Sequence, residues 1–148
     1  MPSINRYINI ISRCGNMYRT GQLAGTDLGP THHAYLFTVC REPGISQETL
    51  ARRIYINKSN VTRNLATLEK NGYVERRISE TDRRVTLVYP TEKAHKALPL
   101  LRNVMKTWNE LLTAGFSPEE LEQLGNMLAR MAANATGYID DTEHDDLF

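Results

Sequence analysis

Residues Ile45–Thr91, ISQETLARRIYINKSNVTRNLATLEKNGYVERRISETDRRVTLVYPT, read as a helix, a short turn, a second helix and two strands around an arginine-rich tip. That is the order of a winged helix-turn-helix, in which a polar helix face enters a DNA major groove while the tip touches the groove beside it. Ser46 is placed to cap the first of these helices. Ile45 before it can pack on Leu50 as a hydrophobic staple, and Leu50, Ala51 and Ile54 form an inward face. Tyr55, Ile56 and Asn57 make the turn. The second helix starts near Lys58, carries Val61, Leu65 and Leu68 inward at helical spacing, and stops at Asn71-Gly72.

The remaining positions of the second helix, Lys58, Ser59, Asn60, Thr62, Arg63 and Asn64, are divided between the turn and an outer face. All can donate hydrogen bonds to phosphates or base edges, and the long and amide side chains suit purine edges best. A solvated helix surface would mix in Asp and Glu, yet none occurs between Glu48 and Glu69. Ser46 and Gln47, at the start of the helix before, join this set of expected DNA contacts.

After Gly72 the period changes from helical to alternating. Tyr73 to Ile78 and Val85 to Tyr89 are expected to pair as a hairpin. The loop between them, Ser79-Glu80-Thr81-Asp82-Arg83-Arg84, puts two guanidiniums at the tip, where a narrow and strongly negative minor groove would attract them. Asp82 would repel DNA if it faced a phosphate. It is therefore read as an acceptor that holds Arg84 or the loop backbone and aims the arginine.

Leu50-Ala51, Ile54, Ser59-Asn60-Val61-Thr62-Arg63, Leu65, Leu68-Glu69, Gly72-Tyr73-Val74 and Arg76 resemble the recognition segment of the multiple antibiotic resistance regulator (MarR) family. Asp82-Arg83-Arg84, followed after five residues by Pro90-Thr91, is similar to that family's wing signature of Asp-x-Arg and a downstream Leu-Thr. Pro90 stands where the family has Leu, and Ala94 where it commonly has Gly. Neither departure touches the groups expected to meet DNA. The resemblance implies a mainly α fold with a small β-hairpin wing, a winged helix-turn-helix flanked by N- and C-terminal dimerisation helices. On this reading 1–30 is a dimerisation helix and connector, 31–91 the DNA-binding domain, 92–139 the C-terminal dimerisation helices and 140–148 an acidic disordered tail.

The chain as a whole is consistent with that plan. Its 148 residues are enough for one domain, or for one domain with oligomerisation helices. The formal net charge of +1 conceals an asymmetry: residues 1–45 sum to +2, 46–93 to +4 and 94–148 to −5. Nucleic-acid binding needs a local basic footprint more than a basic whole. No apolar run approaches the roughly 20 residues of a membrane span, and no signal-peptide pattern opens the chain, so a cytoplasmic protein without a membrane partner is expected. Cys14 and Cys40 supply no metal-binding spacing and fit a reducing compartment.

Helical periodicity extends on both sides. Ile4, Tyr7, Ile8, Ile11, Cys14, Met17 and Tyr18 mark an N-terminal helix, ended by the Gly21–Pro30 stretch and followed by a second helix from about Thr31 to Arg41. Thr91 can cap a long helix containing Pro99, where a kink near 95–99 is expected. Ser117-Pro118-Glu119-Glu120 is a capping box with proline at the first helical position. The helix it opens carries Leu121, Leu124, Leu128, Met131 and Ala135, whose alternating three and four spacing is the seam of a helix that packs along another. The terminal helices need a partner to bury these faces. A homodimer is therefore expected, and its two-fold symmetry predicts a palindromic double-stranded DNA operator with half-sites about one DNA turn apart.

The resemblance further implies a repressor relieved by a small anionic or phenolic effector, in a pocket lined by the first, second and fifth helices. Candidates there are Arg13, Met17, Tyr18, His32, His33, Tyr35 and Leu36. The two histidines open a helix and are expected to be solvated. One branch of the family senses organic peroxides through a cysteine on the first helix held by tyrosines, and Cys14 lies at a similar place with Tyr18 one turn on. The competing expectation is a small buried hydrophobe. No metal, cofactor or catalysis is expected, since His32, His33, His95 and His144 lack ligand spacing and no phosphate loop, nucleophile elbow or HExxH is present. The rival from another class is a winged helix serving as a protein-interaction module, which would call for exposed apolar anchors in place of Lys58, Asn60, Arg63, Arg83 and Arg84.

Overall fold

Ser46 closes a strand and opens a helix. Its backbone pairs with Leu87, while its Oγ accepts the N–H of Thr49 (3.0 Å). The computed structural model, which describes residues 3–142, builds nine elements around such junctions. In chain order these are α1 (Ile4–Gln22), α2 (His32–Arg41), β1 (Ile45–Ser46), α3 (Gln47–Ile54), α4 (Lys58–Lys70), β2 (Val74–Ile78), β3 (Thr86–Pro90), α5 (Glu92–Leu112) and α6 (Pro118–Thr142). The chain divides into two compact units within α5, between Trp108 and Asn109.

The inward faces of α3 and α4 meet as their spacing requires. Leu50, Val61, Leu65 and Leu68 are fully buried, in one core with Leu36, Val39, Val74, Val88 and Leu101. Each such side chain contributes about 1.5–3 kcal/mol by leaving water. The turn between the helices has its own logic. Tyr55 takes the left-handed conformation (φ 54°), and its N–H and that of Ile56 close onto Arg52 and Ala51 carbonyls. Asn57 then caps α4, its Oδ1 accepting the N–H of Asn60 (2.8 Å). At the other end Gly72 (φ 81°) supplies the left-handed residue after the Asn71 C-cap, a conformation that a Cβ would strain.

The wing is a three-stranded antiparallel sheet of order β1-β3-β2, not the two-stranded hairpin expected. Ile45 pairs with Val88 and Ser46 with Leu87 on one side of β3, while β2 runs from Val74↔Pro90 to Ile78↔Thr86 on the other. Pro90 is tolerated because it ends the strand beyond the β1 pairing. Arg76 fastens this sheet to α4: its backbone N–H and guanidinium both donate to the Glu69 carboxylate (2.8–3.2 Å), which holds the carboxyl below its usual range. Thr91 then joins the wing to α5, its Oγ1 2.6 Å from the Gly72 carbonyl and accepting the Ala94 N–H (3.4 Å). A second clasp forms where Asp27, in the loop after α1, accepts from Tyr73 Oη (2.5 Å) and Lys93 Nζ (2.9 Å).

α5 runs as one helix through Pro99, and α6 begins with the reciprocal capping box of Ser117 and Glu120 (2.8 and 3.2 Å). The acidic tail expected over 140–148 falls partly on α6, which carries Asp140 and Asp141 in helix; 143–148 lie outside the described residues. In the single chain the terminal helices leave their apolar faces open. Ile4, Tyr7, Ile8, Ile11 and Met17 of α1 are exposed, as are Leu121, Leu128 and Met131 of α6.

The two histidines overturn the expectation that they are solvated. His32 is buried at the start of α2, its Nδ1 accepting the Gly29 N–H (2.9 Å), and His33 is half-buried beside the Pro30 carbonyl (3.1 Å). The loop between α1 and α2 folds back over the helix end and excludes water from the rings. Burial lowers the pKa of His32, with Asn64 and Asp27 pulling the other way, and burial followed by the Arg19 charge lowers that of His33. A base with its folded pKa depressed binds fewer protons folded than unfolded. Its stabilising contribution is therefore complete above the unfolded value near pH 6.5 and is lost as pH falls below it. The thermal midpoint should fall between about pH 7.5 and 5.5, and less so in His32→Asn, whose Oδ1 can accept the same N–H without titrating. An unchanged pH profile in that variant would remove His32 from the account.

Candidate nucleic-acid interface

The N-terminal ends of α3 and α4 and the base of the wing border one concave groove of about 270 Å³, lined by Ser46, Gln47, Glu48, Lys58, Thr62, Arg84, Val85 and Thr86. Five of the nine side chains expected to meet DNA are thereby brought together. Ser59, Asn60 and Arg63 lie beside them on α4, and Arg83 stands at the exposed tip of the wing.

Several of these groups are held by one another. Gln47 Nε2 donates to Thr62 Oγ1 (2.8 Å), which donates in turn to the Lys58 carbonyl (2.9 Å), so the first turns of α3 and α4 are fastened together across the groove floor. Ser46 spends its hydroxyl on the α3 cap, donating to Thr49 Oγ1 (2.8 Å), and Ser59 Oγ donates to Asn57 Oδ1 (3.3 Å). Both serines thus support the frame. Arg63 donates to Asn60 Oδ1 from the exposed face of α4, which fixes the guanidinium to its own helix.

At the wing, Asp82 accepts from the Arg84 backbone N–H (3.0 Å) and from its Nε and Nη2 (3.1 Å each). The guanidinium and then the backbone N–H keep the Asp82 carboxyl below its ordinary range. Arg84 nevertheless remains 90% exposed, so the carboxylate constrains its direction without covering it. Ser79 is buried under this loop, its Oγ accepting from Thr81 and Asp82 N–H groups (3.3 and 3.4 Å).

One member of the groove was missed in the sequence. Glu48 puts a carboxylate at the rim, 2.9 Å from Arg52 and 3.8 Å from Lys58. Its place in the first turn of α3, next to Gln47, was the available signal. Near helix N-termini a carboxylate is favoured by the dipole, and here it also tempers the positive field of two neighbouring cations.

The expected effector residues are not gathered in one open site. Tyr35 and Leu36 are 0% exposed in the core, and neither presents surface to a ligand. Arg13 and Met17 are exposed on α1, whereas Tyr18 stacks on Trp108 (ring centroids 5.1 Å) and His32 and His33 are taken up as described. Cys14 is exposed in the single chain, contrary to a buried hydrophobe; among the described residues no hydrogen bond joins it to Tyr18. An open cavity does lie between α2 and α5, around Phe37, Cys40, Arg41, His95, Leu98 and Arg102. Among the described residues no group of three His, Cys, Asp or Glu is arranged to hold a metal, and no helix is long and apolar enough to cross a membrane.

Comparison with known proteins agrees with this geometry. The MarR family model matches residues 26–85, the segment from the loop before α2 to the wing. The HTH-type transcriptional regulator YybA of Bacillus subtilis (strain 168), itself uncharacterized, is 31% identical over 134 residues, spanning 90% of this chain and 89% of that protein. A crystal structure of a MarR transcriptional regulator from Methanosarcina mazei Go1 is 30% identical, covers 91% of this chain and 97% of its own, and superposes with a TM-score of 0.86. A MarR family regulator from Listeria monocytogenes complexed with 26mer DNA shares the fold (TM-score 0.87, 24% identity, 100% of this chain and 99% of its own). Likeness in sequence reaches well past the reading segment into the flanking helices, and the chain belongs to the MarR family of winged helix-turn-helix, DNA-binding transcription regulators.

Proposed function

We propose that this regulator is a homodimeric repressor that reads a palindromic duplex operator and is released from it by a small molecule. The observation that carries the DNA reading is the groove itself. Lys58, Thr62 and Gln47 converge with Arg84 across a concave surface bounded by helix and wing, where a duplex can present phosphates to the cations and base edges to α4. The protein-interaction alternative would need apolar anchors on this face, and the outer face of α4 consists instead of Lys58, Ser59, Asn60, Thr62 and Arg63. In this arrangement α4 supplies specificity, and Arg83 and Arg84 add minor-groove and phosphate contacts.

Dimerisation is supported by the open apolar faces of α1 and α6, which a monomer would leave in water. Two heads related by symmetry then present two copies of α4 to successive major grooves.

Titrating the chain with its operator against salt tests the reading directly. Each phosphate neutralised releases counterions, so about six contacts or more should lower affinity by roughly a thousandfold between about 50 and 200 mM salt. Affinity for duplex that stays level as salt rises would overturn the proposal.

A further inference from the structure

Tyr35 carries the one buried side-chain polar atom that has no hydrogen-bond partner among the described residues. Its ring is 0% exposed, in the core that α2 shares with the inward stripe of α4, and the His32 ring stands edge-on to it at 6.5 Å. Protein interiors pair nearly all such groups, because a hydroxyl withdrawn from water and left bare forfeits its hydration. Phenylalanine would fill the same space without that cost, so the hydroxyl calls for a role.

The polar side chain that faces it comes from α4. Burial raises the Tyr35 pKa while the Asn64 amide draws it back down, and the same amide acts on His32. Asn64 lies three residues after Val61 and four before Leu68, at the edge of the inward stripe, and is half-buried. In the free chain it is committed to its own helix, its Nδ2 donating to the Asn60 carbonyl (2.8 Å). That carbonyl is also the regular acceptor of the Asn64 backbone N–H, so the side-chain bond duplicates one the helix makes and is exchanged at little cost. Asn60 in turn receives Arg63 on its Oδ1, which links this turn of α4 to the polar outer face.

We propose that Tyr35 is a positioning residue for α4: when a duplex covers the outer face, Asn64 turns from the Asn60 carbonyl onto the Tyr35 hydroxyl and fixes α4 against α2. A seated duplex excludes water from the flank where Asn64 stands, so the amide gains by turning to the buried partner and the hydroxyl gains by receiving it. A duplex held loosely by phosphate contacts leaves that flank wet. The new bond therefore adds to selectivity more than to general affinity. This inference rests on the regulator reading above.

The test uses the full chain, a duplex it selects from a random-sequence pool, and a scrambled duplex of the same length. Tyr35→Phe should raise the thermal midpoint of the free protein, since a bare hydroxyl leaves the core with no change of shape. The same variant should bind the selected duplex about fivefold more weakly and the scrambled duplex as before. A merely structural role for the ring would move stability and binding together. Asn64→Leu should lose about as much on the selected duplex, and the double variant no more than either alone, because each removes the same bond. A midpoint that fails to rise in Tyr35→Phe would mean that the hydroxyl is already satisfied in the free chain, and would overturn the proposal. Unchanged binding of the selected duplex, equal losses on both duplexes, or losses that add in the double variant would do the same. A wild-type chain that selects no duplex from the pool overturns the regulator reading itself, a result distinct from all of these.

Discussion

Within the homodimer reading, Leu128→Arg should leave the chain folded, shift it from dimer to monomer, and weaken operator binding on the order of a hundredfold. Leu128 is half exposed in the single chain, at the middle of the Leu121, Leu124, Leu128, Met131 stripe of α6. Arginine is a good helix former and Leu128 is only half covered, so the substitution costs α6 little. In a two-fold interface the same change is made on both faces, which places two guanidiniums where two leucines would have met. Binding then falls because one head on one half-site forgoes the effective concentration that tethering gives the second. Sedimentation velocity reads the oligomer, circular dichroism the helix content, and a two-half-site duplex the affinity. A variant that remains dimeric would mean that α6 contributes no essential contact and that α1 carries the association.

How far such residues could be read from sequence depended on how local their causes were. The Ser46 cap, the Ser117–Glu120 box, the Asn71-Gly72 stop and the inward Val61, Leu65 and Leu68 stripe are set by neighbours within a turn or two, and all are as the residues implied. β1 was invisible because two residues have no alternation to display, and its pairing of Ile45 with Val88 crosses most of the motif. Asn57 was read as turn, although a cap Asn three residues before Asn60 was there to be seen. The histidines misled for a different reason: their place at the opening of a helix suggests solvent, whereas a loop N–H from Gly29 and a folded-back chain bury His32. The groove and the α2–α5 cavity are assembled from residues about forty and sixty positions apart. Spacing along the chain carries no sign of such a cavity.

Within the regulator reading, Arg63→Ala and Arg84→Ala should fail in different ways. Arg63 lies on the exposed face of α4 with its guanidinium braced by Asn60, a geometry suited to a fork of donors on a guanine edge. Its removal should cost about 1–3 kcal/mol per half-site and relax discrimination at one base position, so that operators altered there bind the variant nearly as well as the parent sequence. Arg84 is aimed by Asp82 from the wing, where A·T and T·A pairs present nearly the same acceptors. Its loss should weaken all duplexes together and flatten the salt dependence, with the rank order of operators largely kept. Asp82→Asn should fall between wild type and Arg84→Ala, since it frees the guanidinium without removing its charge. The decisive measurement is a panel of single-base operator variants titrated with each protein. If Arg84→Ala reorders that panel as much as Arg63→Ala does, the wing reads sequence too, and specificity cannot be assigned to α4 alone.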